Sequence, residues 1–96
     1  MINLLEIDNE IFEKELKVSF GKFIRRRRIN LNISQKALSL KTGLHLSYIS
    51  SIEKGERNVS IINVFKLANS LKCTVSDLFK DFEKELDSVF KSKIPK

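Results

Sequence analysis

The stretch QKALSLKTGLHLSYISSIE, residues 35–53, decides the fold of this chain. It predicts two short helices joined by a tight turn at Thr42-Gly43-Leu44. Gly43 suits that turn because a residue without a Cβ adopts positive φ at little cost. Ser39 lies on the inner face of the first helix, where a small side chain allows the two helices to cross closely. The stretch therefore predicts a compact pair of crossing helices.

Charge is distributed unevenly along the 96 residues. Residues 1–16 carry five acids and one lysine, residues 17–73 carry twelve Lys or Arg and two acids, and residues 74–96 are neutral. A middle segment of net charge +10 favours a polyanionic partner, and nucleic acid is the commonest one. Together with the crossing helices, it predicts a helix-turn-helix that inserts its second helix into the major groove of double-stranded DNA.

The spacing of apolar residues predicts further helices on both sides of the motif, so the predicted fold class is all-α. Upstream, a helix over residues 9–20 begins at Asp8 or Asn9 as its N-cap. Gly21 is expected to interrupt it before a second helix over residues 22–31. Within this second helix, at least one side chain of the arginine run at residues 25–28 must lie against the body of the protein, and we expect it to be Arg28.

Downstream, Ser34 is expected to cap the first motif helix and Ser60 the helix over residues 61–71. The second motif helix is expected to end before Gly55, and Asn32 suits the left-handed end of the helix that precedes the motif. Thr74 to Asp77 resembles a capping box that opens the last helix.

A longer pattern adds a family resemblance. Ser34 to Gly55 fits S-Q-x-x-L-[small]-x-x-[ST]-G-[hydrophobic]-x-x-x-x-[IV]-S-x-[IL]-E-x-G. The chain thereby resembles the lambda-repressor-like, Cro/C1-type (XRE) helix-turn-helix family over residues 20–80. SYISSIEKGERNVSIINVFKLANSL, residues 47–71, is similar to the controller proteins of restriction–modification systems. The resemblance implies a five-helix lambda-repressor-like DNA-binding domain, extended by an additional N-terminal helix in residues 1–19 and by a C-terminal helical extension in residues 81–96.

The resemblance also implies roles for individual residues. Base edges would be read by Leu46, Ser47, Tyr48 and Ser51. Phosphates would be bound by Gln35, Lys54, Arg57 and Asn58. His45 is a further phosphate-binding candidate, because it occupies an N-cap position and histidine is a poor cap. Arg28 and Glu53 would form a structural ion pair. Three roles have open alternatives, because Leu46 could contact a thymine methyl or be an ordinary exposed leucine, Asn58 could serve only its turn, and His45 could have no role.

We expect a homodimer, since a single helix-turn-helix contacts too little DNA for tight, specific binding. The predicted interface lies on the last helix. Its members are Phe79, Phe82, Leu86, Val89 and Phe90. The apolar residues of the N-terminal helix could either complete the protomer's own core or widen that interface. These residues are Ile11, Phe12, Leu16 and Phe20.

The predicted function is a sequence-specific transcriptional regulator on a palindromic operator, controlling a restriction–modification system. A phage-type repressor or antitoxin regulator is an alternative, as is a protein-interaction module without DNA binding. RNA polymerase is a further candidate partner. An enzyme is disfavoured because the chain has one histidine, one cysteine and no glycine-rich nucleotide loop. No metal, cofactor or membrane span is expected, and the acidic N-terminus favours a cytoplasmic protein.

Overall fold

The computed structural model describes residues 8–91, which form five α-helices. They are α1 (Asn9–Asn30), α2 (Gln35–Thr42), α3 (Leu46–Glu53), α4 (Ile61–Ser70) and α5 (Val75–Lys91). The described part of the chain contains no strand, so the prediction of an all-α fold is confirmed. Helix α1 packs against α3 and α5, α2 packs against α3 and α4, and α4 packs against α5.

One apolar core joins all five helices. The side chains of Ile24, Leu38, Ile49, Leu67 and Leu78 have no exposed surface. They hold the helices together because each helix places its apolar stripe toward the same centre. The core is extended by aromatic rings between α1 and α5, where the rings of Phe20 and Phe82 meet edge to face at 5.5 Å.

Helix α1 runs without a break through Gly21, so the predicted interruption at that residue is wrong. A Cβ at Gly21 would overlap the carbonyl oxygen of Ile52 and lie 3.0 Å from that of Glu53. Gly55, just after α3, also allows α1 to approach closely, since a Cβ at Gly55 would lie 2.8 Å from the Cα of Val18. Gly21 therefore permits backbone-to-backbone contact between α1 and the end of α3, and a helix tolerates it at a cost of about 1 kcal/mol.

Capping side chains set the helix boundaries. Asp8 caps α1 by accepting hydrogen bonds from the backbone N–H groups of Glu10 and Ile11, which decides between the two caps that the sequence allowed. Ser34, Ser60 and Thr74 each accept one backbone hydrogen bond at the start of α2, α4 and α5. Asn32, Gly43 and Gly55 have positive φ at the ends of α1, α2 and α3. The expected caps are thus present.

The N-terminal half of α1 completes the core of its own protomer. Phe12 and Leu16 pack against the core cluster, and Phe20 is buried within it. Ile11 is the exception, with 46% of its side chain exposed. Of the two alternatives for these residues, the structure therefore shows the first.

The inner face of α5 is also used within the protomer. Phe82 and Leu86 are only 5% and 4% exposed, because they pack beneath α1. They leave almost no surface for a second copy, and this corrects their place in the predicted dimer interface. Phe79 is 37% exposed and Val89 is half-buried, so both retain surface. The side chain of Phe90 lies outside the described residues.

Candidate nucleic-acid interface

The turn between α2 and α3 is held by side chains as well as by backbone. The Ser39 hydroxyl donates a hydrogen bond to the carbonyl oxygen of Leu44. The Thr42 hydroxyl donates to the carbonyl of Leu38 at 2.8 Å and accepts from the N–H of Leu44 at 3.2 Å. Gly43 provides the left-handed conformation, with φ of 76°. These bonds fix where α3 begins relative to α2.

The other end of α3 is held by a buried carboxylate. The Glu53 side chain is 3% exposed and accepts hydrogen bonds from Arg28 at 2.7 and 2.9 Å. It accepts a third from the amide of Gln35 at 3.1 Å. Arg28 also donates to the carbonyl of Ile33 at 2.9 Å. We call Arg28, Gln35 and Glu53 the polar lock, because they tie α1, α2 and α3 together beside the motif.

The polar lock places a permanent charge inside the protein. The hydrogen bonds and the negative charge of Glu53 raise the pKa of Arg28, against the opposing effect of burial. Arg28 therefore stays protonated in the folded protein, and each charge satisfies the other. Gln35 has a part in this lock besides the phosphate contact expected of it, since its amide nitrogen is bonded to Glu53.

The exposed side of α3 carries a second cluster. The Tyr48 hydroxyl accepts a hydrogen bond from the side-chain amide of Asn63 at 3.1 Å, and the Arg57 guanidinium lies 5.6 Å from the centre of the Tyr48 ring. The Nε of Arg57 donates to Ser51 at 2.9 Å, and Ser51 donates to the Tyr48 carbonyl at 2.7 Å. We call Tyr48, Ser51, Arg57 and Asn63 the tyrosine cluster. It unites two predicted base-reading residues with one predicted phosphate-binding residue.

Asn63 is the member that sequence reasoning missed. It lies on α4, in the same turn that Ser60 caps, and no spacing rule links it to Tyr48 on α3. The contact depends on how α4 packs beside the helix-turn-helix, and the one-dimensional pattern does not contain that information. The only local signal is a polar residue between the apolar Ile62 and Val64 in the first turn of α4.

The remaining predicted residues lie on the surface around α3. Leu46 is 46% exposed at its first turn, beside the exposed Ser47. His45 occupies the N-cap position and its side chain makes no capping hydrogen bond. Lys54 and Asn58 are exposed at and beyond the C-terminal end. The structure thus brings all the predicted DNA-contacting residues to α3, its two ends and the start of α2.

Three further observations on the described residues concern metal binding, the single thiol and membrane-spanning helices. Residues 8–91 contain no group of three or more His, Cys, Asp or Glu side chains arranged to hold a metal ion. The Cys73 thiol is half-buried and donates to the carbonyl of Ala68 at 3.6 Å. None of the five helices has the length and apolar character needed to cross a bilayer.

A family model for the helix-turn-helix matches residues 24–78, which is more than half of the chain. The chain belongs to this family. The matched residues include the whole of α2, α3 and α4, and thus both the polar lock and the tyrosine cluster. The resemblance to helix-turn-helix proteins is thereby confirmed.

Within the helix-turn-helix family, the similar proteins include controllers. Control protein C.MunI from Mycoplasma sp. is 39% identical over 72 residues, covering 74% of this chain and 97% of the relative. The structure of the restriction–modification controller C.AhdI from Aeromonas hydrophila has 39% identity and a TM-score of 0.62, covering 64% of this chain and 92% of that one.

A third similar protein has been solved on DNA. The tetramer of the restriction–modification controller C.Esp1396I, in complex with its natural 35 base-pair operator, has 27% identity and a TM-score of 0.70. The match covers 74% of this chain and 93% of that one. The narrower resemblance to restriction–modification controllers is thereby confirmed.

Proposed function

We propose that this chain is the controller of a restriction–modification system, a dimeric transcriptional regulator that binds a palindromic operator. The observation that carries the proposal is the 39% identity to a control protein over 97% of that relative's length. The geometry also supports the proposed function, because the predicted DNA-contacting residues lie together around α3. A regulator of transcription would act in the cytoplasm. RNA polymerase, bound at the promoter that this chain regulates, is a candidate partner.

The proposed DNA contact uses α3 as the recognition helix. Ser47 and Tyr48 present hydroxyl groups, and Leu46 presents an apolar side chain, at the end of the helix that enters the groove in this motif. Phosphate contacts are assigned to the residues at the borders of the helix-turn-helix. They are Gln35, His45, Lys54, Arg57 and Asn58. Because Leu46 cannot donate a hydrogen bond to a purine edge, operator choice should depend strongly on DNA shape.

The proposed dimer needs an apolar surface, and the structure offers one on α4. Ile61, Ile62 and Phe65 are 69%, 66% and 58% exposed. We call these three residues the α4 face. Large apolar side chains clustered on a surface are typical of protein–protein contacts. The dimer interface is therefore proposed on the α4 face and Phe79, rather than on Phe82 and Leu86, which are buried.

A footprint on the DNA upstream of this protein's own gene tests the proposed function. We expect protection of a palindrome whose half-site centres are about 34–36 Å apart, upstream of a restriction endonuclease gene. Affinity should fall steeply with salt, because each phosphate contact releases counterions. A mutated half-site is the control.

Two results would contradict the proposal. Absence of protection, or binding that is insensitive to salt, would favour a protein-interaction module. A protected palindrome beside a prophage or toxin gene would assign the chain to phage repressors or antitoxins instead.

A further inference from the structure

Tyr48, the only tyrosine of the chain, is held by a residue outside the two motif helices. The side-chain amide nitrogen of Asn63, on α4, donates a hydrogen bond to the Tyr48 hydroxyl at 3.1 Å. The Tyr48 ring packs half-buried against the core, and the Arg57 guanidinium lies 5.6 Å from its centre. Tyr48 is therefore restrained both at its ring and at its hydroxyl.

Asn63 is itself fixed by its place in α4. Its backbone N–H donates to the hydroxyl of Ser60, the N-cap of the helix, at 3.2 Å. Its side chain is half-buried, and the next residue, Val64, is 5% exposed in the core. Helix α4 packs against both α2 and α5. Asn63 thus presents its amide to Tyr48 from a fixed position before DNA binds, and such preorganisation lowers the entropy cost of binding.

The direction of this hydrogen bond decides what the Tyr48 hydroxyl can offer to DNA. A phenol hydroxyl is one donor and also an acceptor. The bond from Asn63 uses a lone pair of the phenol oxygen and leaves its proton for another partner. In the major groove, purine N7, guanine O6 and thymine O4 accept hydrogen bonds, whereas the amino groups of adenine and cytosine donate them. A hydroxyl arranged in this way matches an acceptor edge.

The other hydroxyl of the tyrosine cluster has a different arrangement. Ser51 donates its proton to the Tyr48 carbonyl oxygen at 2.7 Å and accepts a hydrogen bond from the Nε of Arg57 at 2.9 Å. Its proton is therefore used within the cluster, while that of Tyr48 is not needed for the bond with Asn63. Within the cluster, Tyr48 is the hydroxyl suited to donate to a base.

We propose that Asn63 is a specificity-determining positioning residue, which holds the Tyr48 hydroxyl as a hydrogen-bond donor toward an acceptor on a base edge. Asn63 acts through Tyr48 and needs no DNA contact of its own for this role. The inference rests on the proposed DNA binding. It goes beyond that proposal by naming the base chemistry that Tyr48 reads and the residue outside the motif that sets it.

The test measures base preference rather than total affinity. Each base pair of an operator half-site is varied in turn, and competition binding compares wild type with Tyr48→Phe and Asn63→Ala. We expect both variants to relax the preference at the same base pair by about threefold to tenfold, the value of one hydrogen bond. The double variant should be no worse there than Tyr48→Phe, because both changes act through one contact. Asn69→Ala removes an exposed asparagine from the same helix and should keep the wild-type preference.

Asn63→Asp tests the direction of the bond. A carboxylate only accepts hydrogen bonds, so it would take the Tyr48 proton while keeping the ring in place. We expect the relaxed preference of Tyr48→Phe. The added negative charge opposes binding to every operator alike, so the ratio between operators is not changed by it. Asn69→Asp is the charge-matched control and should keep the wild-type ratio.

A measurement without DNA tests the restraint on Tyr48 directly. Because the chain has one tyrosine and no tryptophan, the anisotropy of tyrosine fluorescence reports on Tyr48 alone. We expect Asn63→Ala to lower the anisotropy, since the hydroxyl loses its partner, and Asn69→Ala to leave it unchanged.

The outcomes separate this inference from the proposed function. Operator binding with wild-type base preference in Asn63→Ala or in Asn63→Asp would overturn the inference and leave the proposed function intact. Unchanged anisotropy in Asn63→Ala would also overturn the inference alone. A wild-type chain that binds no operator would overturn both.

Discussion

The two ends of α3 are built in opposite ways. At the C-terminal end, the buried carboxylate of Glu53 accepts three hydrogen bonds and two glycine contacts bring α1 against the backbone. At the N-terminal end, His45 makes no side-chain capping bond, and Leu46 and Ser47 are exposed. At its C-terminal end, α3 is held by buried side-chain and backbone contacts. At its N-terminal end, the side chains of His45, Leu46 and Ser47 face water, and only the turn before them is held by hydrogen bonds.

The largest expected effect comes from breaking the polar lock. Glu53→Ala leaves the charge of Arg28 nearly buried and unpaired, and it leaves the Gln35 amide without its partner. We expect the free energy of unfolding to fall by about 3–5 kcal/mol, measured by urea denaturation. Glu56→Ala removes an exposed carboxylate three residues later and should change stability by less than about 0.5 kcal/mol.

The pH dependence of this loss follows from the raised pKa of Arg28. A group with a raised folded-state pKa contributes its full stabilisation below its unfolded pKa and loses it only as the pH rises through the folded value. Since that value lies above the usual arginine range, the difference between wild type and Glu53→Ala should stay constant from about pH 7 to 9. A loss that disappears in this interval would contradict the lock.

The next largest effect tests the glycine contact beside the lock. Glycine to alanine inside a helix normally stabilises by about 0.5–1 kcal/mol. At Gly21 we expect the opposite sign, a loss of about 1–3 kcal/mol, because the new methyl group overlaps the carbonyl of Ile52. Lys22→Ala changes the next, exposed residue of α1 and serves as the control in thermal denaturation. Equal melting temperatures for the two variants would contradict the close contact.

An intermediate effect concerns the tyrosine cluster, which lies between the two ends. Arg57→Ala should leave stability within about 0.5 kcal/mol, because the side chain is exposed. It should weaken DNA binding and lower the dependence of log K on log salt by about one unit, as expected for one lost phosphate contact. Lys66→Ala, an equal loss of charge on the exposed side of α4, is the control for titrations at several salt concentrations.

The smallest effect is expected at the N-terminal end. Leu46→Ala removes a half-exposed side chain that is not part of the buried core, so stability should change by less than about 0.5 kcal/mol. We expect a small, sequence-dependent change in operator affinity, seen only at sites with a thymine methyl under the helix. Competition between operators with thymine and uracil at that position measures it, because uracil lacks the methyl group. Identical affinities would make Leu46 an ordinary surface leucine.

Much of the fold could be predicted from local rules. The caps at Ser34, Ser60 and Thr74 and the positive φ at Gly43 depend on a few neighbouring residues, and such information is present in the sequence. The prediction that Gly21 interrupts the helix was wrong because it also used only local information. A glycine looks like a helix breaker by propensity, and only the approach of the end of α3 explains why it lies inside a helix.

The candidate site was predictable to a similar degree. The family pattern identified the polar residues on α3 and around it, since their offsets are part of the motif. It did not identify Asn63, nor the bond from Gln35 to Glu53, because both depend on helix packing. The sequence also could not tell which apolar residues of α5 belong to the core and which to the surface. Phe79 and Phe82 are the same residue type and differ only in their burial.

The sequence by itself determined that the chain folds as an all-α helix-turn-helix domain with its positive charge in the middle segment, because caps, periodicity and charge are local properties. The tertiary structure alone decided which surfaces remain available. It buried Phe82 and Leu86, left the α4 face exposed, and carried α1 through Gly21 into contact with the end of α3. Burial depends on which distant residues meet, and no spacing within one segment encodes that.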